Sequence, residues 1–131
     1  MIRFVPISSV LGVHSELLRE FGGKPGLRDR GLLESALDRP RNLEAYEGAS
    51  IFRLAAAYAF EIIKNHPFID GNKRVAFFAT DVFLRLNGWK LVVDADEAHR
   101  FLTGLLESGA RDYDHLLPWV RRSLRRSTKR S

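Results

Sequence analysis

Two stretches, residues 50–65 and 75–87, constrain the fold most, because both are so rich in Ala, Phe, Leu and Ile that a helix built from either must be buried nearly all round. Between them lie His66, Pro67, Phe68, Ile69, Asp70, Gly71, Asn72, Lys73 and Arg74. A proline pushes the residue before it out of the helical region, so the first helix cannot run past Asn65 and the chain turns at His66. The outcome is a helical hairpin whose turn is polar although both arms are apolar. Polar groups squeezed between buried helices call for a reason.

The rest of the chain supplies the cover. Residues 1–7 alternate apolar and polar side chains and read as a short strand, with Ser8 or Ser9 capping a first helix that runs to about Phe21. Gly22, Gly23, Pro25 and Gly26 form a breaker cluster before Asp29 opens a short second helix, whose apolar side is Leu32, Leu33, Ala36 and Leu37. Pro40 is expected to stop it, leaving residues 41–48 as a loop, and Ser50 caps the first buried helix. The second buried helix starts near Asn72 and ends at Gly88. Residues 89–93 are a strand candidate, and pairing of residues 3–7 with residues 90–93 would make a small two-stranded sheet. A fifth helix is expected from Asp94 or Asp96 to about Ser108, and a last one from between Asp114 and Pro118. The expected fold class is all-α, a helical bundle in one domain over residues 1–125, with residues 126–131 as a basic, frayed tail.

At 131 residues the chain needs one hydrophobic core. It has no cysteine, which excludes disulfides, thiolate nucleophiles and zinc-thiolate sites. No basic head precedes an apolar run and no run reaches membrane-spanning length, so a soluble, cytoplasmic protein without membrane contact is expected. The net charge of +5 suggests a polyanion partner, but six of the 21 basic residues lie in the last eleven positions. Residues 1–120 carry 15 basic against 16 acidic side chains, so the basicity belongs to the tail and nucleic acid is not an expected partner of the body.

The chemistry concentrates in residues 66–74. Asn72, Lys73 and Arg74 open a helix, where the first backbone amides lack internal acceptors and the dipole favours anions, and Gly71 keeps the backbone open to a phosphate. Lys73 and Arg74 add full charges. Asp70 is a hard oxygen ligand of the kind magnesium takes alongside nucleotide phosphates. His66 is the candidate general base, with a hydroxyl as its natural client, while Phe68 turns inward and pins the loop. Singly, each residue has an ordinary structural reading; together they define a phosphate-binding loop with a base, compatible with a kinase, a nucleotidyl transferase, a phosphodiesterase or simple anion binding.

Residues 66–74 resemble the core motif of the Fic superfamily: His-Pro-Phe, two residues, Gly-Asn-Gly-Arg, two residues, Arg. Lys73 stands in place of the glycine after the asparagine, and Phe77 in place of the second arginine. Those departures resemble the death-on-curing (Doc) branch, toxins of bacterial toxin–antitoxin pairs. Residues 22–29 (Gly-Gly-Lys-Pro-Gly-Leu-Arg-Asp), residues 31–37, Arg39 with Pro40, residues 55–60 leading to Asn65, and Phe83-Leu84 with Asn87-Gly88 are similar to the same branch. The resemblance spans about residues 5–120. It implies a helical Fic fold and transfer of a nucleotide-derived group to a protein hydroxyl: AMP for typical members, but for Doc the terminal phosphate of ATP, moved to a threonine of translation elongation factor Tu. It also implies a cognate, Phd-like antitoxin that is partly disordered. By motif position His66 would be the base, Asp70 the magnesium ligand, and Gly71, Asn72, Lys73 and Arg74 the phosphate cradle, with ATP as substrate. A lysine at 73 would fill space that two phosphates need when the alpha phosphate faces the nucleophile, which favours terminal-phosphate transfer over the alternative, adenylyl transfer. A third reading is a non-catalytic binding module using the basic tail.

The remaining histidines, His14, His99 and His115, lack metal-site spacing and are expected to be structural or exposed. Capping and a local ion pair account for Asp29 and Glu34. Arg53 and Asp81 lie within the buried helices, where each needs a partner and could find it in the other.

Overall fold

The structure, a computed structural model, describes residues 1–92, 96–97 and 100, with the backbone of 124–126. Four helices, α1 (Ile7–Phe21), α2 (Arg30–Glu47), α3 (Ile51–Asn65) and α4 (Asn72–Leu86), precede β1 (Trp89–Leu91), which pairs antiparallel with β2 (Leu124–Arg126). The fold class is all-α, as expected.

The central helix is α3. Ser50 caps it by accepting the Arg53 amide at 3.2 Å, and every residue from Leu54 to Ile63 is buried, because α2 and α4 pack along its two sides. Ala55, Ala56, Ala57 and Ala59 keep its surface low, so the neighbouring helices can approach closely. Between α3 and α4 the rings of Tyr58 and Phe83 lie 4.8 Å apart, and Phe4 adds a third ring 6.2 Å from Phe83. α1 crosses α4 and covers the turn between the two buried helices.

Four expectations need correction. Pro40 does not end α2, which continues to Glu47 and stops at Gly48 in the left-handed region (φ 59°). Pro40 lacks an amide for its helix bond, but its ring is buried together with Leu37 and Leu43 on one face, and that packing outweighs the lost bond. The N-terminal strand does not form either. The Asn87 amide takes a strand's place, its Oδ1 accepting the Arg3 N–H and its Nδ2 donating to the Arg3 carbonyl, both at 2.9 Å. Two residues on, the Val5 N–H donates to the buried Tyr58 hydroxyl at 3.0 Å. With Pro6 following, no run of amides is left for a ladder, and the small sheet pairs β1 with β2 instead of residues 3–7. Arg126, expected as the first residue of the tail, lies in β2. Finally, Arg53 pairs with Glu47 at 2.8 Å and Asp81 with Arg85 at 2.9 Å, each finding its counter-charge on a near neighbour in sequence.

α1 begins one to two residues earlier than its expected serine cap, with the Pro6 carbonyl accepting from the Ser9 and Val10 amides. Asp96, Glu97 and Arg100 are helical, in keeping with a fifth helix, whose other residues lie outside the described ones, as do the start of the last helix, His99, His115 and residues 127–131.

The Asn87 clamp yields a test. Asn87→Ala removes two bonds to Arg3 and a third, from Nδ2 to the Phe83 carbonyl at 2.8 Å, and should lower stability by about 1–2 kcal/mol in urea titration. Faster exchange of the Arg3 amide should accompany it; an unchanged amide would show that the clamp does not hold the N-terminus.

Candidate functional site

The turn begins where α3 runs out. His66 is the C-cap of α3 with φ 51° and ψ 55°, the one non-glycine residue with positive φ among those described. Its amide donates to the Ile62 carbonyl at 3.1 Å. The side chain of Arg28 closes the helix end from the other side, Nε donating to the His66 carbonyl at 2.7 Å and Nη2 to the Asn65 carbonyl at 2.8 Å. A charged fork on two adjacent carbonyls satisfies helix-end acceptors and fixes the backbone that carries the imidazole.

The breaker loop between α1 and α2 then zips onto the turn. The Arg28 and Asp29 amides donate to the Pro67 carbonyl at 2.7 and 3.0 Å, the Ile69 amide to the Gly26 carbonyl at 3.1 Å, and Leu27 bridges Phe68 in antiparallel fashion. The glycines are needed for this approach. A Cβ on Gly23 would lie 2.9 Å from Asp70 Oδ2, and one on Gly26 would lie 2.9 Å from the Ile69 side chain. Asp29 caps α2 through the Leu32 amide and Glu34 pairs with Arg30, as the sequence suggested.

Phe68 is fully buried and stacks on His14 of α1, ring centroids 4.0 Å apart. Asn72 brackets it: Oδ1 accepts the Phe68 N–H and Nδ2 donates to the Phe68 carbonyl, both at 2.9 Å. Asn72 is only 5% exposed and its side chain is a clasp for the turn, so its expected share in a phosphate cradle falls to its backbone. Its backbone amide stays in the first turn of α4.

Apart from Pro67 and Phe68, the motif residues meet at one cleft. His66, Ile69, Asp70, Gly71, Asn72, Lys73 and Arg74, with Ile63, line a cleft of about 350 Å³. His66, Asp70 and Arg74 are exposed and Lys73 half-buried. Gly71 precedes α4 with φ 83°, a conformation that favours glycine. The Arg74 guanidinium rests 4.3 Å over the Phe21 ring at the end of α1. A larger groove of about 740 Å³ runs along α2 and α3, but none of the motif residues lines it.

Asp70 is the carboxylate of the cleft. Its Oδ2 accepts the Lys24 amide at 3.1 Å and its Oδ1 the Gly71 amide at 2.9 Å, which holds its carboxyl below the ordinary value of 3.8, the Lys24 bond contributing most. Each oxygen accepts one bond, so lone pairs remain for a cation. Among the described residues no three His, Cys, Asp or Glu side chains gather into a metal site. A divalent ion here would have one protein carboxylate and complete its shell with phosphate oxygens and water, a donor set that suits magnesium.

Sequence reasoning missed Arg28 and His14. Neither belongs to the motif by chain position, and only the zipped loop and the crossing of α1 bring them to it.

A sequence model of the Fic/DOC family matches residues 4–84. Toxin Doc of Mycolicibacterium smegmatis is 40% identical over 80 residues, 58% of this chain and 60% of that protein. Protein kinase doc of Escherichia phage P1 is 32% identical over 88 residues, 66% of this chain and 70% of its own length. The match to the first of these relatives thus spans less than two thirds of its length.

Two outcomes are expected. Asn72→Leu leaves the Phe68 N–H and carbonyl buried without partners, which should cost about 2–4 kcal/mol in denaturant unfolding; a cost near zero would mean that the clasp is dispensable. Because the folded carboxyl of Asp70 titrates below 3.8, its contribution is complete above that pH and is lost as pH falls through the lower folded value. Asp70→Asn should therefore flatten the acid limb of a stability-against-pH curve below pH 3.8 and leave the neutral limb parallel to wild type.

Proposed function

Because the chain belongs to the Fic/DOC family, we propose that it is the toxin of a toxin–antitoxin pair and a Doc-type protein kinase. It would transfer the terminal phosphate of ATP to a serine or threonine hydroxyl of a translation factor resembling elongation factor Tu and so block translation. The observation that carries this reading is the single cleft in which the exposed imidazole of His66 and the amide-rich, cationic start of α4 face the same space.

The chemistry follows from those groups. The first amides of α4, with Lys73 and Arg74, take the phosphate oxygens, and the Arg74 side chain is already held at the cleft by Phe21. A target hydroxyl reaches the terminal phosphorus with its proton directed at the His66 imidazole. As the oxygen–phosphorus bond forms, the imidazole takes that proton and the bond from the terminal phosphorus to the bridging oxygen breaks, releasing ADP. Magnesium, when bound, would neutralise phosphate charge, and Asp70 is the residue to hold it. Lys73 occupies the cradle where a glycine would leave room for a further phosphate, which favours presentation of the terminal phosphate over the alpha phosphate.

The expected partner is a cognate, partly disordered antitoxin whose inhibitory segment folds on binding near the cleft.

Purified protein, elongation factor Tu and ATP labelled at either the alpha or the gamma position provide the test. Gamma label should reach the translation factor. Both His66→Ala and His66→Gly should lose roughly 10²–10⁴-fold in rate. His66→Gly should be about 1 kcal/mol more stable than His66→Ala, since only glycine escapes the steric cost of the left-handed cap, so that loss of activity separates from loss of fold. Lys73→Gly should weaken gamma transfer. Alpha label on the target would overturn the kinase reading in favour of adenylyl transfer.

A further inference from the structure

His14 is a buried polar side chain on α1 with no part in the chemistry just described. An imidazole taken out of water needs hydrogen bonds to offset its desolvation, and a leucine would fill the space without that demand. Its Nε2 lies 3.0 Å from the Asp70 carbonyl oxygen, and since a carbonyl only accepts, Nε2 carries the proton and donates. The ring is stacked on Phe68, so its plane is fixed by the same buried residue that anchors the turn.

The bonded carbonyl belongs to a peptide group whose other end is the Gly71 N–H, and that N–H donates to Asp70 Oδ1 at 2.9 Å. Gly71 sits at φ 83°, a conformation in which a glycine can let the preceding peptide rotate at little steric cost. Rotation of that peptide would swing its N–H off the carboxylate and redirect the entry into α4. No side chain on Gly71 obstructs the turn, and the nearest neighbours of a Cβ there would be His14 atoms at 3.8 and 3.9 Å, so the bond from the Gly71 N–H to Asp70 Oδ1 is the restraint on the amide end. The bond from His14 is the restraint on the carbonyl end.

We infer that His14 is a positioning residue that locks the Asp70–Gly71 peptide plane through Nε2–H, thereby setting both the Asp70 carboxylate and the first amides of α4 for a nucleotide phosphate. The inference deepens the proposed reading of the cleft as a nucleotide site. It does not depend on which phosphate is transferred.

The test is direct binding of Mg·ATP by calorimetry, which reads the cleft without any transfer step, alongside thermal melts. His14→Phe keeps a ring for the stack and loses the donor; His14→Gln loses the ring and keeps an amide N–H near the Nε2 position. His14→Phe should melt cooperatively and bind Mg·ATP about tenfold more weakly, and His14→Gln should come within about threefold of wild type, the range expected for loss and rescue of one buried bond. The Gly71 amide resonance should move in His14→Phe and return towards its wild-type position in His14→Gln. Should His14→Phe fail to fold, His14→Asn, whose shorter amide falls short of Asp70, takes its place. Affinity in the donor-less variant equal to wild type overturns the inference, as does equal weakening in His14→Gln or a wild-type protein with no measurable affinity for Mg·ATP. Wild type that binds Mg·ATP but moves no gamma phosphate overturns the kinase reading alone.

Discussion

The reciprocal bond pair between the Asn72 side chain and the backbone of Phe68 is the constraint on which the site depends. Without it, a turn between two buried helices would carry an N–H and a carbonyl into the interior with no acceptor or donor, a cost comparable to a sizeable share of a small domain's net stability. With it, Phe68 can be fully buried and the turn becomes a rigid part of the core. Ile69 and Asp70, which lie between the two inward positions Phe68 and Asn72, are then left exposed.

A division of labour follows from that commitment. Phe68, Asn72, His14 and the Arg28 side chain bond backbone or fill space, and none of them has to meet a substrate. His66, Asp70, Lys73 and Arg74 leave their side chains at the cleft. Three separate segments supply the restraints: α1 through His14, the breaker loop through Lys24, Gly26 and Arg28, and α4 through Asn72. The breaker loop and α4 both grip the two peptides that flank Phe68, while α1 holds the peptide after Asp70, so the geometry is fixed by three segments.

What could be read from sequence was what local chemistry decides. Ser50 and Asp29 cap helices because a side-chain oxygen beside the first turn needs no knowledge of the rest of the chain, and α3 ends at Asn65 because Pro67 sterically requires it. Tertiary packing decided the remainder. Pro40 is a strong local stop signal overridden by the burial of its ring and of Leu43. The N-terminal alternation was real, but Asn87 and Tyr58, more than fifty positions away, took the amides that a strand partner would have used. Within the site, the motif gave the residues and their outward or inward sense was legible for Phe68 alone. The clasp made by the Asn72 side chain was not legible, because an amide at a helix start suits an anion and a buried turn equally well, and only its depth distinguishes them.

The backbone of His66 shows what keeps such a site from relaxing. An L-residue in the left-handed region costs about 1–2 kcal/mol, and glycine is the usual occupant of a helix C-cap in that conformation. At this position glycine would remove the imidazole, so the strain has to be outweighed by bonds around it. The amide bond to Ile62 contributes about 0.5–1.5 kcal/mol, and the two charge-assisted bonds from Arg28 contribute more each, as bonds from a charged donor do. These bonds oppose the steric cost, and Pro67 excludes the right-handed helical alternative at the residue before it. Four of these restraints act on the backbone of residues 65–67 and leave the ring itself free to reach into the cleft. The imidazole is thus carried on a strained but over-determined hinge, which is how a residue at the end of a buried helix can be both exposed and fixed in place.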